Sequence, residues 1–172
     1  MRMSAYIEFR RHRGWPTLKE LQPYVWAPSG QRSLLQTKND NLGLVAEGVD
    51  GTEQPEPNEG RIDVDLDTWG HPELGILLIY SKWGGRLKQM YSSKGDLSRL
   101  REWIYSTNGT ALPVGLFIEN ATAWKAVKEF IGTNGDLPTS IDWVSNHDLP
   151  PGTFPDYRQV NSVHHGDELI SN

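Results

Sequence analysis

The sequence predicts an α+β fold: a single domain built mainly on an antiparallel sheet with two to three packed helices. Its length of 172 residues suits one domain with a proper core. Strand-like segments mostly follow one another directly, with few helical segments between them, and this order favours antiparallel pairing. We expect residues 1–160 to form the domain and residues 161–172 to form a flexible C-terminal tail.

The N-terminal segments predict a strand and then a short helix. In SAYIEFR (4–10), apolar residues alternate with polar ones, which is typical of a half-buried strand. In TLKELQPYVW (17–26), Thr17 stands at an N-cap position and Glu20 closes a capping box. Pro23 would limit this helix to about two turns.

Strand patterns then dominate as far as residue 93. RSLLQT (32–37) and NLGLVAEG (41–48) predict a hairpin through the KNDN segment. RIDVDLDTW (61–69) alternates between apolar and acidic residues, as a strand does. ELGILLIYSKW (73–83) predicts a buried strand, and RLKQMYSS (86–93) predicts its partner across a Gly-Gly turn.

The C-terminal half predicts two helices. GDLSRLREWIYSTNG (95–109) has leucines at helical spacing and ends on Asn-Gly, and LPVGLFIE (112–119) predicts a strand after it. A second helix would begin at Asn120 or Thr122 as cap and end at Gly132. A proline turn and a short strand at 141–143 would follow.

Composition excludes several classes of protein. The chain has no cysteine, which excludes disulfides, thiolate metal sites and a cysteine nucleophile. It has no apolar run of the roughly 18 residues that a membrane span requires, and no signal peptide pattern. It also lacks nucleotide-binding glycine loops, HExxH and GxSxG. We expect a bacterial cytoplasmic protein without cofactor, metal site or catalytic residues.

Charge is unevenly distributed along the chain. Residues 1–46 carry seven Lys/Arg and three Asp/Glu, whereas residues 47–73 carry one Arg and nine Asp/Glu. The acidic block would repel phosphates, so it argues against direct nucleic-acid binding there. Such a block is either a solvated loop or a surface that attracts a basic protein.

The acidic block supplies the candidate site. Asp63, Asp65 and Asp67 share one face of the predicted strand, which we expect to face solvent or a basic partner. Large aromatics beside such charges either cover the core or anchor an interface. The predicted partner-binding residues are Glu53, Glu56, Glu59, Asp63, Asp65, Asp67, Trp69 and His71.

Two other functions are compatible with the same residues. A small metal-dependent hydrolase could use Asp63, Asp65 and His71, although catalytic carboxylates usually come from different elements. A non-catalytic adaptor with another protein partner is the second alternative.

Two segments carry a family resemblance. The first contains Tyr91, Ser93, Gly95 and Asp96 in the order Tyr-x-Ser-x-Gly-Asp. The second is a helix, a turn and a strand that contain Ala123, Ala126, Val127, Glu129, Phe130, Thr133, Gly135, Pro138, Ile141 and Trp143. Together they resemble the first numbered family of immunity proteins in bacterial polymorphic toxin and contact-dependent inhibition systems. The resemblance covers about residues 86–143, and Asn134 is an insertion in its Thr-Gly turn.

The resemblance implies a cytoplasmic antitoxin. Such a protein binds the toxin domain of a secreted effector in a 1:1 complex and blocks it sterically, without catalysis and without contacting nucleic acid or membrane. The toxins are often nucleases or nucleic-acid deaminases, which are frequently basic because they hold phosphates. An acidic inhibitor would gain association rate against such a toxin.

Overall fold

The structure, a computed structural model, describes residues 1–7, 10–26, 41–53 and 59–155. In these residues the chain forms nine strands and two helices, with three short 3-10 turns. In chain order the elements are β1 (Arg2–Ile7), β2 (Arg10–Arg13), α1 (Leu18–Val25), β3 (Asn41–Val49), β4 (Ile62–His71), β5 (Gly75–Gly84), β6 (Leu87–Ser93), a 3-10 turn (Leu97–Arg99), β7 (Trp103–Tyr105), β8 (Ala111–Pro113), a 3-10 turn (Val114–Leu116), α2 (Asn120–Gly132), β9 (Trp143–Ser145) and a 3-10 turn (Asn146–Asp148).

Seven of these strands form one antiparallel sheet in the spatial order β2-β1-β3-β4-β5-β6-β9. β7 and β8 form a separate two-stranded sheet. The predicted α+β fold, mainly antiparallel with packed helices, is confirmed. The predicted strand at 32–37, its hairpin loop and the predicted tail lie outside the described residues.

The two helices pack on one side of the large sheet, called the helix face below. α1 begins with the predicted capping box: the Thr17 backbone N–H donates to Glu20 Oε2 (2.8 Å), and the Glu20 N–H donates to Thr17 Oγ1 (3.3 Å). The helix is two turns long, as predicted. In α2, Trp124, Val127 and Phe130 are buried against the sheet. The Phe130 ring meets the Tyr80 ring edge-on, with 6.2 Å between centroids.

The start of α2 differs from the prediction. Its N-cap position is Glu119, which makes no side-chain capping hydrogen bond. Asn120 is the first helical residue, and its side-chain amide donates to the Val25 carbonyl at 2.8 Å. The side chain expected to cap α2 therefore ties it to the end of α1.

The opposite side of the sheet, called the hairpin face below, has its own core. Trp69, Leu77 and Ile79 of the sheet are buried there with Leu112 and Leu116. The helix predicted for 95–109 is wrong, because only a 3-10 turn forms before β7. Trp-Ile-Tyr in β7 favours a strand, and the Asn-Gly pair expected to end the helix lies in the turn that joins β7 to β8. The strand predicted at 112–119 is also shorter than expected and gives way to a 3-10 turn.

Ser93 and Gly95 join the end of β6 to the chain that covers the hairpin face. Ser93 Oγ donates to the Leu116 carbonyl (2.7 Å) and accepts from the Leu78 N–H (3.0 Å). A Cβ atom at Gly95 would lie 2.2 Å from the Phe117 carbonyl oxygen. Only glycine allows this approach of two backbone segments.

We therefore expect Gly95→Ala to destabilise the domain by about 1–3 kcal/mol, because one backbone segment must move away from the other. Gly132→Ala is the matched control, since no atom beyond its own stretch of helix lies within 4 Å of its added Cβ and the residue ends a helix. Urea unfolding of both variants measures the difference. Equal stabilities would show that the contact at Gly95 imposes no constraint.

Glu129 holds the turn that follows α2. Its carboxylate accepts hydrogen bonds from the Thr139 N–H (2.8 Å), the Thr139 hydroxyl (2.9 Å) and the Ser140 N–H (2.9 Å). These hydrogen bonds, the one from the Thr139 backbone foremost, lower the pKa of Glu129 to about 2. The ionised carboxylate thus favours the folded state.

The contribution of Glu129 should depend on pH in a defined direction. Because the folded pKa of about 2 lies below the ordinary 4.5, the stabilisation is complete above pH 4.5 and is lost as the pH falls towards 2. The stability difference between the native protein and Glu129→Gln should therefore shrink over that interval in urea unfolding. Glu73→Gln is the control, since its exposed side chain makes no hydrogen bond or ion pair with a described residue. A difference that stays constant with pH would contradict the assignment.

Candidate partner-binding site

The three aspartates of β4 are buried. Their exposed fractions are 2% for Asp63, 8% for Asp65 and 7% for Asp67. The expectation that this acidic stripe faces solvent is wrong. β4 is a central strand that pairs with β3 and β5, and its second face is enclosed as well as its first.

Asp63 is neutralised inside the protein by Arg61. Arg61 Nε lies 3.0 Å from Asp63 Oδ1, and Nη2 lies 3.0 Å from Oδ2, so the guanidinium grips the carboxylate with two parallel hydrogen bonds. The Gly48 N–H also donates to Asp63 Oδ1, at 2.8 Å. Both side chains are more than nine-tenths buried. A buried carboxylate needs this degree of pairing to remain charged.

The other side chains of the stripe are also engaged within the fold. Asp65 Oδ2 accepts a hydrogen bond from the indole N–H of Trp83 at 3.3 Å. Trp69 is 1% exposed and belongs to the core of the hairpin face. Of the two roles considered for such an aromatic, core cover and interface anchor, Trp69 has the first.

His71 lies at the far end of β4 from Asp63. Its Nδ1 accepts hydrogen bonds from the backbone N–H groups of Glu73 (3.2 Å) and Leu74 (3.3 Å), so the ring stabilises the β4–β5 turn. Eight residues of extended strand separate it from Asp63, a distance of about 27 Å. The triad considered for a metal-dependent hydrolase is not brought together. Within the described ranges, no group of three histidine, aspartate or glutamate side chains could hold a metal ion.

Of the predicted partner-binding carboxylates, Glu53 and Glu59 reach solvent, at one end of β3 and β4; together with the exposed Asp50 we call them the acidic end. Asp50 forms an ion pair with Lys82 at 2.7 Å. Glu53 lies 3.3 Å from the N-terminal amine. The hydrogen bond from its own backbone N–H, and then the N-terminal ammonium, lower the pKa of Glu53. Glu56 lies outside the described residues.

Sequence reasoning missed two parts of this site. The first is the ion pair between Arg61 and Asp63. Residues two apart in a strand share a face, so the spacing of Arg61 and Asp63 could have indicated this pair. Asp50 was not singled out, although the Asp-Gly pair that it forms with Gly51 marks an exposed turn.

Loss of the Asp63 charge should destabilise the fold strongly. Asp63→Asn keeps the side-chain size but leaves the Arg61 guanidinium buried without its main counter-ion, which costs about 3–5 kcal/mol. Glu59→Gln removes an exposed carboxylate from the same acidic block and should change stability by less than about 0.5 kcal/mol. Urea unfolding near neutral pH compares the two. Similar values for both variants would show that the buried pair adds nothing to stability.

Comparison with known proteins assigns no family to this chain. No protein-family model matches it, and neither a curated protein nor a solved structure does. Neither α1 nor α2, the helices in the described part, has the length and apolar character needed to span a membrane.

Proposed function

We propose that this chain is an immunity protein: a non-catalytic bacterial inhibitor that binds a cognate toxin domain in the cytoplasm and blocks it sterically. The toxin would be a nuclease or nucleic-acid deaminase, and the complex a 1:1 heterodimer without cofactor. The observation that carries the proposal is the arrangement of the two segments that resemble such proteins.

Those two segments are hydrogen-bonded neighbours in the fold. β6, which carries the first, pairs with β9, which ends the second, so that Ser93 lies opposite Trp143. Tyr91 lies beside Tyr80, with 6.4 Å between ring centroids. The Tyr80 hydroxyl donates to the carbonyl of Gly135 in the second segment, at 3.2 Å. The motif residues therefore belong to one connected frame, as a shared family scaffold requires.

Individual motif residues have structural tasks that account for their types. Asp96 caps the 3-10 turn by accepting from the Ser98 N–H at 3.1 Å. The Gly135 N–H donates to the Phe130 carbonyl at 2.9 Å, which closes the end of α2. The Trp143 indole N–H donates to the Pro138 carbonyl at 2.7 Å. Because these motif residues stabilise the fold, we expect the toxin to be recognised by surfaces outside the two segments.

The acidic end is the surface best suited to a basic toxin. Asp63, Asp65 and Asp67 are enclosed, so steering depends on the exposed Glu53 and Glu59 and on their neighbours. Exposed charges mainly raise the association rate, and salt screens them. The acidic end would thus guide the encounter, while packing contacts hold the complex.

The decisive experiment uses the gene next to the one that encodes this chain. The C-terminal domain of a large secreted protein encoded there should arrest growth when expressed in the bacterial cytoplasm. Co-expression of this chain should restore growth, and the two proteins should co-purify at 1:1. Growth arrest that this chain does not relieve would overturn the proposal.

Charge-reversal variants should show whether the association rate with the toxin depends on the acidic end or only on the net charge of the protein. Glu53→Lys combined with Glu59→Lys should lower the association rate at low salt by about tenfold. Glu73→Lys combined with Asp148→Lys gives the same change of net charge away from the acidic end and should lower the rate by no more than about twofold. Stopped-flow kinetics at two salt concentrations measures both. Equal effects would place steering outside the acidic end.

A further inference from the structure

The strand β2 forms one edge of the large sheet and carries four consecutive basic residues. Among the strands of the described ranges, it pairs with β1 alone. Arg10, Arg11, His12 and Arg13 are all exposed. An edge strand presents backbone donors and acceptors that are ready to pair with another chain.

The register shows which backbone groups are open. The Gly14 N–H donates to the Met3 carbonyl at 2.7 Å, so Gly14 faces β1. Backbone groups alternate in direction along an antiparallel strand. His12 and Arg10 therefore also face β1, whereas the N–H and C=O groups of Arg11 and Arg13 point away from the sheet. In the part of the chain that the structure describes, no residue bonds to those four outward groups.

The positively charged side chains at this edge outnumber the carboxylates that pair with them in the described residues. Arg11 lies over the Tyr6 ring, 5.9 Å from its centroid, and its Nη2 lies 3.5 Å from Glu47 Oε2. Arg2 also reaches Glu47 at 3.5 Å, and its side chain is 72% exposed. Arg10 and Arg13 make no ion pair with a described residue. The edge is therefore a cationic surface next to an open backbone.

We propose that β2 is a docking edge for an acidic, extended segment of a partner protein, which adds to the sheet as a further strand. The segment would exchange four backbone hydrogen bonds with Arg11 and Arg13. Its alternate carboxylates would lie opposite the guanidinium groups of those two residues, whose side chains share one face of the sheet. In such pairing, backbone bonds give affinity and side chains give specificity.

The chemistry of the edge favours this occupant over two others. A second copy of the chain pairing through β2 would place arginines directly opposite arginines, which is destabilising. The phosphates of a nucleic acid would satisfy the cations and the two outward N–H groups, but phosphates only accept hydrogen bonds, so they would leave the two outward carbonyls to water. An acidic strand satisfies the cations, the N–H groups and the carbonyls together.

The experiment is amide hydrogen exchange by NMR on the full chain, titrated with a blocked peptide of sequence TEVEVET. The amides of Arg11 and Arg13, which bond to no described residue, should exchange at least about tenfold more slowly at saturation. The amides of Arg10 and His12, already bonded to β1, should change by less than about twofold. The peptide TKVKVKT is the control for strand propensity without acidity, and it should leave all four amides unchanged.

Two variants at position 13 separate charge from backbone pairing. Arg13→Gln removes one charge and should weaken TEVEVET binding by about three- to tenfold. Arg13→Pro removes the same charge and also the outward N–H, and should weaken binding by about fivefold more. That N–H makes no bond within the described fold, so proline is tolerated there, and equal melting temperatures for both variants would verify it.

Three results would overturn the proposal: no slowing at Arg11 and Arg13, equal binding of the acidic and basic peptides, or protection of these amides by a single-stranded 12-mer DNA and not by TEVEVET. Protection of Arg11 and Arg13 by TEVEVET, lost further in Arg13→Pro than in Arg13→Gln, would support it. No toxin is used, so this outcome and that of the growth experiment are independent.

Discussion

Burial of β4 on both faces is the constraint on which the rest of the structure depends. The strand places Val64 and Leu66 in the core of the helix face and presents carboxylates on the other side. Enclosed carboxylates lose hydration, so each needs polar partners inside the fold. The Arg61 guanidinium and the Gly48 N–H provide them for Asp63, and they link the start of β4 to the end of β3. The register of the central strands is thus fixed by charge pairing on one face and by apolar packing on the other.

The second half of the chain is anchored to this sheet through Tyr80. Its ring lies beside Tyr91 and Phe130, and its hydroxyl donates to the Gly135 carbonyl. Burial, and then the nearby charge of Asp136, raises the pKa of Tyr80, so the hydroxyl stays protonated and remains a donor. One side chain therefore connects β5, β6, α2 and the turn after it. The two segments that resemble immunity proteins therefore both contact β5, through Tyr80: one through Tyr91 and the other through Gly135.

Local patterns predicted the elements whose causes are local. The capping box at Thr17, the Gly84-Gly85 turn and the stop at Gly132 follow from short-range chemistry, and the structure has all three. The alternation of β4 correctly placed the aspartates on one face, but period two cannot tell whether that face is covered. The first strand of the hairpin that covers Trp69 and Ile79 was predicted as part of a helix, because Leu97 and Leu100 have helical spacing. The expectation of an open face came from its acidic side chains, which are usually solvated.

The charge asymmetry of the sequence survives in three dimensions because Glu47 cannot neutralise it. This carboxylate lies 3.5 Å from nitrogens of Arg2, Arg11 and Arg61. Asp63 already pairs with Arg61, so Glu47 is left to balance Arg2 and Arg11. An excess of positive charge therefore remains towards β2, where Arg10 and Arg13 add to it. Beyond the end of β3, Glu53 and Glu59 keep the opposite sign in solvent. Short screening lengths at physiological salt, about 8 Å, allow the two regions to act on different partners or on different parts of one partner. The fold therefore keeps an excess of positive charge along β2 and of negative charge beyond the end of β3.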